Sequence, residues 1–265
     1  MEMAEKTIQE ICKWFASNKL TLNVSKTSYV IFRSPQSPHR NLPNFLSCNN
    51  LIINRESQAT YLGVTLDEYL NWNIHIENLC KKLNRLFPVF YNIRNYLNID
   101  HIKTVYFSML YSRIKYGCIV YGLTSKENIN KIQIIQNKLL KILSCKPFRY
   151  RTNNLHNELT LLKFNHIVHQ EILAFVFDFL KGNLPCVFED YYQYRFDIEN
   201  LEIGASRLRI QMPIHNKKIG ENTVKVQGVK LFNTYVNKID FDLSISTKTF
   251  KNRIKKIFLP YTIED

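Results

Sequence analysis

Residues 60–97 read TYLGVTLDEYLNWNIHIENLCKKLNRLFPVFYNIRNYL, and the fold turns on a change of period inside them. Before Asn71, the β-branched and aromatic content of Thr60–Leu66 reads as a short strand. After it, Ile76, Leu79, Leu83, Leu86, Phe90, Ile93 and Leu97 recur three and four apart, the stripe of an amphipathic helix. Asn71 is placed to cap that helix. Pro88 has no N–H to donate and clashes with the preceding turn, so it should kink the helix or split it in two.

Upstream, Ile8, Ile11, Cys12 and Phe15 have helical spacing up to Ser17-Asn18, and Thr27–Arg33 reads as a strand. Residues 34–50, with three prolines, read as a loop, and Leu51–Asn54 as another strand. Downstream, Asp100 is placed to cap a helix through about Tyr121. Thr124 and Glu127 have capping-box spacing for a helix to about Ser144. Helical patterns follow at 153–160 and 164–181, ended by Gly182 and Pro185. Residues 205–227 read as short strands and loops, punctuated by Gly204, Gly220 and Gly228. Helices near 229–237 and 247–258 close the chain. The expected fold is α+β and mostly helical: a small β-element in 1–70, a helical bundle in 71–151 and a mostly helical domain in 152–265. Only 7 glycines in 265 residues argue against an all-β fold rich in tight turns.

The chain carries 36 Lys and Arg against 22 Asp and Glu, a net charge of +14. Residues 71–151 hold 14 cations and 3 anions, so +11 of that excess sits in one helical stretch. Such a surface repels itself unless a polyanion answers it. Lys81, Lys82 and Arg85 fall within about 100° of helical arc, and Lys131, Lys138 and Lys141 within about 80°. Both sets adjoin apolar stripes, which suits helices packed by one face and basic on the next. Tyr106, Tyr111 and Tyr116 interleave with Lys103, Arg113 and Lys115; these rings either stack on bases or fill the core.

The 6 cysteines form no Cys-x-x-Cys pair, and free thiols in a reducing compartment are expected rather than disulfides or a zinc site. His166 and His169 share a helix face near His156, but no carboxylate or thiol at supportive spacing completes a metal site. No apolar run reaches the roughly 20 residues needed to span a bilayer. An intracellular protein of the cytoplasm or nucleus, with no membrane partner, is therefore expected.

Several blocks carry a resemblance. Trp14-Phe15-Ala16-Ser17-Asn18-Lys19-Leu20-Thr21-Leu22-Asn23-Val24-Ser25-Lys26-Thr27 is followed by Tyr61-Leu62-Gly63-Val64 and by Asp67 to Ile76. Then come Tyr106 to Gly122, Gly220 to Asn233, and Phe250 to Lys255. Together, in this order, they resemble non-LTR, jockey-like retrotransposon reverse transcriptases from the end of the palm through the thumb and beyond. Tyr121 and Phe232 stand where the family has Trp. The resemblance implies that residues 1–70 are a palm remnant and 71–151 a thumb. It also implies that Lys26 is the motif D lysine, latent here.

By the same resemblance, Tyr61, Leu62 and Gly63 form a primer-grip hairpin; the other reading is a core hairpin with Leu62 buried. The family's catalytic aspartates hold Mg2+, and no Asp-Asp pair occurs in these 265 residues. No cofactor, small-molecule substrate or polymerase activity is expected of this chain alone. The expected partner is the backbone of an RNA or DNA template-primer, met at Tyr61, Leu62, Gly63, Lys81, Lys82, Arg85, Lys131, Lys138 and Lys141. The alternative is a non-catalytic module that binds nucleic acid or an acidic protein.

Overall fold

The computed structural model describes residues 2–36, 42–48, 51–193, 210–214, 218–239 and 241–259. Helix makes up 59% of the chain and strand 8%, which is the mostly helical α+β class implied by the change of period at Asn71. The chain divides into two compact units, Met1–Glu77 and Asn78–Asp265.

In the first unit, helix α1 (Glu2–Ser17) ends in a left-handed residue, Lys19 at φ 55°. There the Leu20 N–H donates to Phe15 O at 2.8 Å and the Lys19 N–H to Ala16 O at 3.1 Å, so the last carbonyls are satisfied. A three-stranded sheet follows, in the order β1 (Ser28–Tyr29), β3 (Leu51–Arg55), β2 (Phe45–Cys48). The strand expected over Thr27–Arg33 shortens to β1, which has ladder partners only at Asn54 and Arg55. Strand β2 lies inside the stretch read as a loop. Its antiparallel pairing sets Leu46 opposite Ile53, each 2% exposed, and that buried contact outweighs the local turn composition.

The single strand expected over Thr60–Leu66 is two, β4 (Gln58–Tyr61) and β5 (Val64–Asp67), joined by Leu62 at φ 46° and Gly63 at φ 79°. Two consecutive positive φ values give the hairpin turn whose twist matches its strands. Asp67, 5% exposed, then converts strand to helix. Its carboxylate accepts from the backbone N–H of Tyr69 (3.0 Å), Asn71 (3.4 Å) and Trp72 (3.2 Å). Asn71 Oδ1 in turn accepts from the Asn73 N–H at 3.0 Å, so the expected capping residue holds the first amide of α2 (Asn73–Asn84). Glu68 binds Arg33 and Arg55, each at 2.9 Å, and the Arg33 hydrogen bond holds its carboxyl below the usual range.

The second unit is helical. The helix breaks at Arg85, and Pro88 occupies the third position of α3 (Leu86–Ile93), where its missing N–H costs no intrahelical bond. The helix expected from Asp100 to Tyr121 comes in pieces: α4 (Ile99–Val105), a π-helical turn over Tyr106–Tyr111, α5 (Ser112–Lys115) and α6 (Cys118–Tyr121). Its cap is Asn98, whose Oδ1 accepts from the His101 N–H at 2.9 Å, and Asp100 lies in the first turn. In the same way Ser125, not Thr124, caps α7 (Lys126–Leu143). Thr124 Oγ1 instead accepts from the Asn128 side chain at 3.0 Å.

After α8 (Thr152–Glu158), α9 (Phe164–Leu180) runs through the middle of this unit. It packs against α5, α6, α7, α11 (Val224–Tyr235) and α12 (Thr247–Phe258). Ile167, Val168, Ile172, Leu173, Val176 and Phe177 are all fully buried on it, which a helix covered all round requires. The Phe177 ring stacks on Phe250 at 4.1 Å.

The stretch expected to be strands and loops, 205–227, lies partly outside the described residues; within them it contains α10 (Lys218–Glu221) and the start of α11. Gly228 is not punctuation but a buried position inside α11. A Cβ there would come within 2.3 Å of Tyr192 Oη and 3.0 Å of Val176 Cγ2. Gly228→Ala is therefore expected to destabilise by about 1–3 kcal/mol although alanine favours helix. Adding Tyr192→Phe, which removes the clashing oxygen, should recover part of that loss in urea unfolding. A variant as stable as the parent would refute the close approach.

Candidate nucleic-acid interface

The residues expected to meet nucleic acid fall in both units, and each set is described within its own. In the first, Lys26 ends a short 3-10 turn, Val24–Lys26, with its side chain exposed. Tyr61 and Leu62 are 66% and 70% exposed at the tip of the β4–β5 hairpin, so Leu62 is not a core residue. Gly63 beside them lets the chain turn without presenting a side chain.

In the second unit, Lys81 and Lys82 project from the last turn of α2 and Arg85 from the break before α3, all three exposed. The apolar stripe beside them, from Leu79 through Leu83 and Leu86 to Phe90, is buried. Leu83 and Phe90 fix the inner face, and the basic residues are left on the outer one. Helix α3 packs against α7. On α7, Ile132, Gln136, Leu139 and Leu143 face inward, while Lys131 and Lys138 lie outward on either side of Ile134, itself 51% exposed.

The six cations are not equivalent. Lys81, Lys82, Arg85 and Lys138 form no ion pair with a described residue. Lys131 is paired with Glu127 one turn back at 3.1 Å, a surface pair that holds it weakly. Lys141 is half-buried, and its Nζ donates to Phe148 O at 2.6 Å, tying down the loop after α7. Lys141 therefore has a structural task.

The interleaved tyrosines divide. Tyr106 is fully buried, and Gln136 Nε2 donates to its hydroxyl at 2.9 Å. Tyr111 is half-buried, and Tyr116 is 59% exposed. Base stacking on Tyr106 is excluded by its burial. The histidines also go to packing: His166 stacks on Phe258 at 4.9 Å, and His156 Nδ1 lies 3.0 Å from Leu161 O.

Sequence comparison bears on what this surface serves. Over 157 residues, 57% of the chain, it is 30% identical to the RNA-directed DNA polymerase from mobile element jockey of Drosophila melanogaster. It is 28% identical over 152 residues to the probable RNA-directed DNA polymerase from transposon X-element of the same fly. The jockey polymerase of Drosophila funebris matches at 26% over 165 residues. The chain is related to the RNA-directed DNA polymerases of non-LTR retrotransposons. It spans only 16–17% of the length of these relatives. No family model matches it, and no solved structure does.

Within that retrotransposon relation, the block from Trp14 to Thr27 occupies the end of α1, its left-handed turn and the 3-10 turn. The Tyr61–Val64 block is the hairpin tip, and the block from Asp67 to Ile76 is the carboxylate pivot into α2. Pattern reading missed a second set of residues: Tyr91, Tyr96, Phe148 and Arg149, all exposed, and the half-buried Arg94. The signal was present, because Tyr91, Arg94 and Tyr96 alternate ring and cation, as do Lys146 to Arg151. Each run by itself is too short to stand out from a loop.

Proposed function

We propose that this chain is the part of a retrotransposon reverse transcriptase downstream of the metal-binding aspartates, and that it holds a nucleic-acid backbone without transferring nucleotides by itself. In this reading residues 1–70 end the palm, 71–151 form the thumb and 152–265 support it. Mg2+ belongs to the complete enzyme. The observation that carries the reading is that Lys81 and Lys82 on α2, Arg85 at the break before α3 and Lys138 on α7 are all exposed with no ion pair to a described residue. Cations held on a rigid packed helix and answered by no carboxylate suit a regular line of phosphates, which they position without reading sequence. Among the described residues no helix is long and apolar enough to cross a membrane.

Neutralising about five phosphates would give a log–log salt slope of about −4 to −5 on a duplex. Replacing Lys81, Lys82 and Arg85 together by Gln should flatten that slope by roughly 2–3, because three counterion-releasing contacts are lost. Folding should be unchanged, since exposed charges contribute little to stability. Replacing Lys230, Lys248 and Lys256 on α11 and α12 should do much less. Equal flattening by both triples would make the charge a diffuse property, and absence of salt-sensitive binding would reject the reading.

A further inference from the structure

Helices α3 and α7 pack together, and the loops that leave their C-terminal ends meet. Cys145 Sγ lies 3.9 Å from both Arg94 O and Asn95 Oδ1, which joins residues fifty positions apart. Cys145 is left-handed at φ 51°; its own N–H donates to Ile142 O at 3.1 Å, and the Lys146 N–H to Lys141 O at 2.9 Å. The turn is thus closed by the same pair of bonds that ends α1, and the loop from Lys146 to Arg151 starts from a fixed point.

This corner presents rings to solvent. Tyr96 is 85% exposed, Phe148 79% and Tyr91 57%. The Arg94 guanidinium lies 3.9 Å from the Tyr91 ring centroid, and its buried Nε has no hydrogen-bond partner among the described residues. Lys141 Nζ sits 5.4 Å from the Phe148 ring and bonds that residue's carbonyl, which holds the ring outward. Residues 91–97 and 141–151 contain five cations (Arg94, Lys141, Lys146, Arg149 and Arg151) and no acid.

Some of that charge is answered locally. Glu158 pairs with Lys146 at 3.3 Å and accepts from the Tyr150 hydroxyl. The two converging helix C-termini together supply about one negative charge. Asp100, the next acid after Tyr96, sits in the first turn of α4 and answers that helix's own dipole. An excess of about three positive charges remains beside three exposed rings.

We propose that this corner takes unpaired nucleotides of a single strand, with bases stacking on Tyr96 and Phe148 and phosphates meeting Arg94 and Arg149. The proposal rests on the nucleic-acid reading above and adds a strand preference to it. Bases within a duplex are already stacked and offer an exposed ring nothing. Unpaired bases gain a stacking partner whatever their identity. An acidic protein would use the cations but would leave the rings without a role.

The test measures binding of the full chain to a short fluorescent oligo(dT) and to a duplex of the same length at one salt concentration. Tyr96→Ala with Phe148→Ala should weaken oligo(dT) binding by about tenfold or more. Duplex binding should change by less than about twofold, and the salt slope should stay as it was, because no charge is removed. Tyr96→Phe with Phe148→Tyr keeps both rings and should bind like the parent. Equal losses on both probes, or no loss on either, would overturn the proposal while leaving the backbone-binding reading intact. So would poly-glutamate displacing the labelled strand as well as unlabelled oligo(dT) does. A parent chain that binds neither probe would remove both.

Discussion

Through two buried histidines alone, lowering the pH from 7 to 5 should cost the folded chain about 4 kcal/mol, more than any single surface substitution would. His166 and His169 lie one turn apart on α9 with their ring centroids 6.5 Å apart, against Phe258 of α12. Burial holds each imidazole at about 4, with Lys163 and His156 adding to the effect at His166 and His166 adding to it at His169. Well above pH 6.5 both rings are neutral whether the chain is folded or not, and they contribute nothing to the pH dependence. As the pH falls through 6.5 the unfolded chain takes up protons and the folded one does not, so stability falls with pH until about 4. Two such groups lose about 1.4 kcal/mol each per pH unit in that window.

His156, also pushed down to about 4 by burial against the opposing bond to Leu161 O, adds a comparable loss in the same window. Glu68 and Glu158 have lowered pKa values, so their contribution is lost only at more acid pH, below their unfolded value of 4.5. Urea unfolding at pH 7 and pH 5 measures the loss, and His166→Gln with His169→Gln should remove most of the slope. A stability unchanged between those two pH values would mean the imidazoles are protonated in place.

Gln136→Leu should destabilise the second unit by about 3–5 kcal/mol, although leucine has similar volume and the site is fully buried. Gln136 Nε2 donates to Tyr106 Oη at 2.9 Å and to Leu162 O at 3.0 Å, and its Oε1 accepts from the Phe164 N–H at 3.0 Å. One side chain thus joins the π-helical turn, the loop after α8 and the start of α9. Leucine would strand the Tyr106 hydroxyl and the Leu162 carbonyl in a dry core at about 1–3 kcal/mol each. The Phe164 amide keeps Gln133 Oε1 at 2.8 Å and costs less. Adding Tyr106→Phe removes one stranded group and should restore more than 1 kcal/mol, roughly. If the single variant unfolds at the parent's urea midpoint, the network carries no stability.

What the sequence determined by itself was whatever a local period or a single turn residue decides. The inward stripe from Ile76 to Phe90 leaves Lys81, Lys82 and Arg85 outside, because helical geometry alone sets that face. The mostly helical α+β class follows from the change at Asn71, and the break near Pro88 from proline's missing donor. Capping residues were legible only to within two positions, since Asn98 and Asp100, or Thr124 and Ser125, offer nearly equal oxygens.

Tertiary contact decided the rest. Strand β2 exists because Leu46 found Ile53, and Gly228 inside α11 has no room for a side chain because Tyr192 lies against it. Tyr106 became core because Gln136, thirty residues on, meets its hydroxyl. The corner of Tyr96 and Phe148 exists because Cys145 lies against Arg94. Pairings between distant residues leave no period in the chain, because the energy that selects them is buried area and hydrogen bonding realised only when both segments have already folded.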